Sequence, residues 1–154
     1  GVADRYRFVF LDCPPSLGPL TVNALAAADR VLVPVQAEYY ALEGVAQILG
    51  SIEAVRARLN PKLTIAGLLL TMVDGRTNLA ADVGSELERH FGPLLFRTRV
   101  PRSVRIAEAP SHGEPVITYD PRSAGAEAYW KVAMELVERS SEAPLAAPCQ
   151  EARA

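Results

Sequence analysis

Apolar and polar positions divide this chain into short apolar blocks separated by longer stretches of helical spacing. Phe8 to Leu11, Val31 to Val35 and Ile65 to Met72 are near-continuous apolar runs. Runs of this kind predict strands buried on both faces of a parallel sheet. Pro14 and Pro15 close off the first, because neither has an N–H for a ladder, and Pro34 ends the second. The alanine-rich segment Thr21 to Ala28 predicts a short helix with Thr21 and Asn23 outward. Leu42, Val45, Leu49, Ile52, Val55 and Leu59 recur at helical spacing, with Glu53, Arg56 and Arg58 on the opposite face. Asn60-Pro61 stops that helix. Leu79, Val83, Leu87 and Phe91 mark a further helix with one packed stripe. Val116-Ile117 predicts a last short strand. Asp120-Pro121 then predicts the start of a terminal helix, with Asp as cap and Pro in the first turn. Its buried stripe is expected at Tyr129, Val132, Ala133, Leu136 and Val137, with Trp130 in packing beside it.

At 154 residues, 49% hydrophobic and 22% charged, the chain fits one soluble globular domain with a sizeable core. A net charge of −2 predicts no general affinity for nucleic acid, so such binding would need a local patch. Cys13 and Cys149 lie in unrelated contexts and imply neither a disulfide framework nor a metal site. His90 and His112 have no companions at metal-ligand spacing, and His90 is expected at a helix end, in favourable contact with the dipole. No apolar run reaches membrane-spanning length and no signal peptide is visible, so the expected location is cytoplasmic.

The chemistry concentrates at the first apolar run, which ends in Asp12 followed by Cys-Pro-Pro-Ser-Leu-Gly18. A carboxylate at the carboxyl end of a parallel strand faces the ligand crevice of open α/β sheets. An apolar strand ending in Asp is also the form of the motif that helps hold Mg²⁺ in P-loop nucleotidases. A plain alternative is that Asp12 caps a turn or the following helix.

The string Phe-Leu-Asp-Cys-Pro-Pro-Ser-Leu-Gly resembles the second nucleotide-site motif of the ParA/Soj chromosome- and plasmid-partitioning ATPases, in the MinD/ParA group of deviant P-loop ATPases. Pro34-Val-Gln-Ala-Glu-Tyr-Tyr-Ala-Leu-Glu-Gly44 is similar to the same family, where the region contributes to a nucleotide-sandwich dimer. Read without the family, it is a strand–helix loop with Glu38 solvated. Val-Pro-Arg-Ser-Val-Arg-Ile-Ala-Glu-Ala-Pro-Ser-His-Gly113 resembles one of the family's most specific strings. On composition alone, Arg97, Arg99, Arg102 and Arg105 make a solvated basic face. Asp-Pro-Arg-Ser-x-Gly-Ala-Glu at 120–127 is similar to the family's terminal pattern.

The resemblance implies an α/β fold with a mostly parallel sheet flanked by helices, P-loop NTPase-like and incomplete at its amino-terminal side. Residues 1–139 would be the carboxyl-terminal part of a ParA-type ATPase domain and 140–154 a disordered tail. The implied cofactors are ATP and Mg²⁺. Asp12 would be the catalytic and metal residue. Pro14 and Gly18 would bound a nucleotide switch, and Met72, Asp74 and Pro101 would lie on the base side. A turn in which Thr77 or Asn78 caps the next helix is the alternative at Asp74, and both can hold at once. Arg76, Arg102 and Arg105 would contact DNA without reading its sequence. The implied partners are non-specific DNA on the nucleoid, a ParB-type protein and a second copy joined through ATP, with no membrane contact. No G-x-x-x-x-G-K-[ST] loop occurs in the sequence, and the chain opens within a few residues of a buried strand and without Met. The expectation is therefore a fragment or truncated product with no ATP turnover of its own. Two rival functions stay open: an ATPase that positions a protein cargo without DNA, and a non-catalytic interaction module.

Overall fold

The computed structural model describes residues 5–16 and 18–141. Two strands, β1 (Arg30–Gln36) and β2 (Thr64–Thr71), pair in parallel from Arg30↔Thr64 to Gln36↔Thr71. The right-sized crossover between them is α2 (Ala41–Arg58), preceded by α1 (Pro19–Ala27). β2 is followed by α3 (Asn78–Phe91), two short helices α4 (Val104–Glu108) and α5 (Val116–Tyr119), and the long α6 (Ala124–Ser141).

β2 is buried from Ile65 to Leu70, as its apolar run requires, and its side chains alternate between two cores. Leu68 and Leu70 join Val33, Val35, Val45, Ile52, Val83 and Leu87 on the face covered by α2 and α3. Leu69 points the other way, against Phe96, Val100 and Val132 of α6. The result is a sheet between two helical layers, the arrangement that α/β sequences adopt to bury both faces.

Residues 95–102 run along the second edge of β2 without forming a regular strand. Phe96 N donates to Leu68 O (2.8 Å), Val100 N to Leu70 O (2.9 Å) and Arg102 N to Val73 O (3.0 Å). The pairing of β1 and β2 slips between Val31 and Leu32, so that Val31 faces Ile65 and Leu32 faces Gly67. Gly67 has φ 155°, and a Cβ there would lie 2.5 Å from Phe96 Cε2 and 2.7 Å from Leu94 O. Glycine is required at that bulge by both conformation and space.

Several expectations need correction. Phe8 to Leu11 form no strand, and Val9, Phe10 and Leu11 are exposed. A both-faces-buried strand needs a neighbouring strand and covering helices, and among the described residues β1 pairs only with β2. Asp12 consequently does not close a sheet strand. Val116-Ile117 lie in the helical turn α5, because Pro115 O accepts from Thr118 N and Tyr119 N, each at 3.0 Å. The last helix is capped by Ser123, whose Oγ accepts from Ala126 N (3.2 Å), while the Asp120 carbonyl accepts from Ser123 N (3.1 Å). Its buried face is Gly125, Ala126, Ala128, Val132 and Glu135, leaving Tyr129, Ala133 and Trp130 exposed. Small residues are buried here because α6 approaches α4 closely: a Cβ on Gly125 would meet Ile106 Cγ1 at 2.6 Å. Ser140 and Ser141 belong to α6, and the remainder of the tail expected from Ser140 lies outside the described residues. No helix among the described residues is long and apolar enough to cross a membrane.

α6 is fastened to the irregular edge by ionic contacts. The Glu135 carboxylate is buried and accepts from Arg97 N (2.8 Å) and Thr98 N (3.0 Å), two amides that β2 leaves unpaired. Arg139 donates to Glu135 from Nε (3.2 Å) and to Leu95 O (2.6 Å), and its guanidinium lies 4.4 Å from the centre of the Phe96 ring. Burial opposes the Glu135 charge, but the Arg97 and Thr98 amides and Arg139 outweigh it and hold the carboxyl below its ordinary range.

Candidate functional site

Parallel pairing sends the carboxyl ends of β1 and β2 to one edge, and the loops that follow enclose a cleft of about 890 Å³. The β1–α2 loop lines it with Glu38, Tyr39 and Tyr40. The β2–α3 loop supplies Met72, Asp74, Arg76 and Thr77, and Arg102 closes the far side. The amino ends of α2 and α3 open onto the same space, with Thr77 Oγ1 accepting from Ala80 N (3.4 Å) as the cap of α3.

Met72 makes this corner possible. Thr71 is the last residue of β2 in register with β1, and Val73 continues the pairing with the other edge, donating from N to Val100 O (3.1 Å). The chain leaves β1 at Met72, which adopts φ 53°. A left-handed residue with a long side chain costs of order 1–3 kcal/mol and marks a place worth attention. The turn sets Asp74 beside Pro101 and Arg102, since Val73 bridges Pro101 in parallel.

Asp74 is tightly engaged. Its Oδ1 accepts from Arg76 N (3.1 Å) and Nε (2.9 Å), and its Oδ2 accepts from Arg76 NH2 (2.7 Å). Those bonds hold the Asp74 carboxyl well below the usual carboxylate range, with a further push from the charge of Arg102. The same contact raises the affinity of Arg76 for its proton. Across the cleft, Arg102 NH2 lies 3.8 Å from Glu38 Oε1. Tyr39 and Tyr40 stand edge to face at 5.2 Å on the rim, both exposed.

Met72, Asp74, Arg76 and Arg102 are thus brought together, with Pro101 half-buried beside them. Arg105 stands apart in the first turn of α4, paired with Glu108 (3.1 Å) and Asp120 (3.3 Å). Asp12 and Pro14 are exposed and Gly18 is the cap residue of α1; none of the three lines the cleft. Sequence reasoning left out the part played by Glu38 as a partner of Arg102, and Glu135 with Arg139 altogether. An acidic residue four positions before an arginine on a predicted helix was the available signal for that second pair.

The donor set fits one end of a nucleotide better than the other. Met72, Tyr40 and Ile48 give apolar wall for a base, and the Asp74 carboxylate and loop carbonyls can accept from its amine. Among the described residues no group of three or more His, Cys, Asp or Glu could hold a metal ion. Among the described residues that line the cleft, apolar wall and acceptors are present, and both arginines are engaged by carboxylates.

Known proteins resemble this chain in sequence and shape. The family model described as an AAA domain matches residues 1–65. The chromosome-partitioning ATPase Soj of Thermus thermophilus is 57% identical over 140 residues, covering 91% of this chain and 56% of that protein. The chromosome partitioning protein ParA of Caulobacter vibrioides is 50% identical over 134 residues, covering 87% of this chain and 50% of that protein. The chain belongs to the ParA/Soj family. It spans about half the length of the curated relatives it matches. A solved structure of cobyrinic acid a,c-diamide synthase from Mycobacterium smegmatis, with bound ATP analog and magnesium, superposes with TM-score 0.66 at 35% identity, over 84% of this chain and 46% of that one. The ParA/Soj chain thus has a P-loop ATPase type of α/β fold with a parallel sheet.

Proposed function

We propose that this ParA/Soj chain serves a partitioning ATPase that couples nucleotide state to DNA binding. The observation that supports this best is the corner at the end of β2. There the base-side residues Met72, Asp74 and Pro101 adjoin Arg76 and Arg102, two of the arginines assigned to DNA. ATP with Mg²⁺, when bound, supplies the phosphoryl chemistry; the chain's own share is to seat the base and present guanidinium groups. Asp12 as catalytic and Mg²⁺ residue, and Pro14 to Gly18 as a switch, are supported by the motif string Phe-Leu-Asp-Cys-Pro-Pro-Ser-Leu-Gly.

The partners follow from the same reading. Guanidinium groups bind phosphates without reading bases, so the DNA contact is non-specific and falls with salt. A few arginines per protomer bind weakly, and joining two protomers around ATP multiplies the affinity. A ParB-type protein would then trigger release from the nucleoid. The test is a salt-titrated DNA-binding assay on Arg105→Glu in the natural full-length protein that carries these residues. Loss of affinity, with a salt slope shallower by about one per lost contact, is expected. Unchanged binding would favour the second reading, an ATPase that positions a protein cargo, or the third, an interaction module.

A further inference from the structure

Asp74 occupies an unusual position among the charged groups of the cleft. It is 24% exposed, accepts three hydrogen bonds from Arg76, and feels the charge of Arg102 as well. Arg76, in contrast, is 88% exposed and has the reach to meet a ligand outside the cleft. A fork of guanidinium donors that grips a carboxylate with Nε and NH2 uses the same two donors that grip a phosphate. The two ligands compete for one set of N–H groups.

The turn that carries the carboxylate is also fixed. The carbonyl of Asp74 accepts from Thr77 N (3.1 Å) and Thr77 Oγ1 (3.0 Å), which locks the turn, and Val73 is paired along one edge, through its N–H to Val100 and its carbonyl to Arg102. Arg76 therefore has to leave Asp74, rather than the reverse, before it can serve a phosphate. Resting on the reading above, we propose that Asp74 is a positioning residue that holds Arg76 back from DNA, so that a ligand in the cleft whose donors take up the Asp74 carboxylate oxygens releases Arg76 outward. The ligand class that fits this competition is a purine base with an exocyclic amine, a donor that brings no charge of its own. Nucleotide occupancy and phosphate binding then share one side chain.

The discriminating variant is Asp74→Asn. Asparagine keeps the shape of the turn and one acceptor for Arg76 N, but removes the charge and the bidentate grip. Binding of a short DNA duplex to the natural full-length protein is read by fluorescence anisotropy across a salt series, without nucleotide and with a non-hydrolysable ATP analogue. Asp74→Asn is expected to bind DNA about twofold to fivefold more tightly without nucleotide, where no base competes for the carboxylate, narrowing the gap between the two states, as release of one exposed ion pair allows. The gain must vanish in the Asp74→Asn/Arg76→Ala double variant, which a general loss of negative charge would not produce. Wild type that binds, with Asp74→Asn equal or weaker, overturns this inference alone, as does a gain that survives Arg76→Ala. Wild type that fails to bind DNA at any salt overturns the DNA reading and this inference with it.

Discussion

The firmest quantitative expectation concerns Glu135, a carboxylate 4% exposed that replaces a missing strand neighbour. It satisfies the amides of Arg97 and Thr98 and neutralises Arg139, whose side chain is only 13% exposed. Glu135→Gln keeps the size and one acceptor. Its NH₂ group, however, must face an N–H, and Arg139 loses its counter-charge among the carbonyls of Ala66 and Leu94 and the ring of Phe96. Breaking one side of a buried pair costs about 3–5 kcal/mol, and an unsatisfied amide about 1–3 kcal/mol; the two overlap, so about 3–5 kcal/mol is the expected total. Against a domain stability of about 5–15 kcal/mol this is a large fraction. Urea denaturation should show a midpoint lowered by about 1–3 M at unchanged slope. The pH dependence has a definite sign. Folding depresses this group below its ordinary value of 4.5, so its contribution is present above that value and fades as pH falls through the folded value. Glu135→Gln should therefore flatten the acid limb of stability against pH. Replacing both partners, Glu135→Leu with Arg139→Met, should recover part of the loss, because neither charge is then stranded. A shift under about 1 kcal/mol in Glu135→Gln would refute the buried-pair account.

Other expectations are quickly checked. Gly67→Ala should destabilise by about 2–4 kcal/mol, since the new methyl meets Phe96 and Leu94 at a backbone angle that L residues avoid; an unchanged melting temperature would contradict the bulge geometry. The 154-residue chain by itself should show no Mg-dependent ATP turnover, because no phosphate loop of the G-x-x-x-x-G-K-[ST] type occurs in it. A measured rate abolished by Asp12→Ala would overturn that.

What could be read from the chain depended on whether a residue's environment was local. β2 was legible because its apolar run, Ile65 to Leu70, has the length of a strand covered on both faces. α2 and α3 were legible because their apolar residues return with the helical period, and Thr77 sits where a cap is needed. Phe8 to Leu11 misled for the same reason: an apolar run reports a tendency to be buried, not the presence of a partner, and here none stands beside it among the described residues. The buried face of α6 was misplaced because it is built from Gly125, Ala126 and Ala128, whose burial follows from close helix approach rather than hydrophobicity, and from Glu135, whose partners are 38 and 37 positions away. At the site, Met72, Asp74 and Pro101 were reached through the family resemblance. The left-handed turn at Met72 that assembles them has no sequence signal, because methionine seldom adopts it.

The arginine run shows how far linear charge departs from charge in space. Arg97, Arg102 and Arg105 have no acidic residue among them in sequence, yet each meets carboxylates in the fold: Arg97 with Glu135 and Glu138, Arg102 with Glu38, and Arg105 with Glu108 and Asp120. Arg76 is matched by Asp74 in the same way. A single protomer therefore presents arginines whose fields are largely cancelled at distances beyond a Debye length, and long-range attraction to a polyanion is weak. Each exposed pair is nevertheless shallow, and a row of phosphates offering several contacts at once can displace them together. On the proposed reading, one protomer pays for each displacement separately, whereas two protomers held on one duplex share a single loss of freedom. On that same reading, the difference by itself would let dimerisation control DNA binding, without any new contact to the bases.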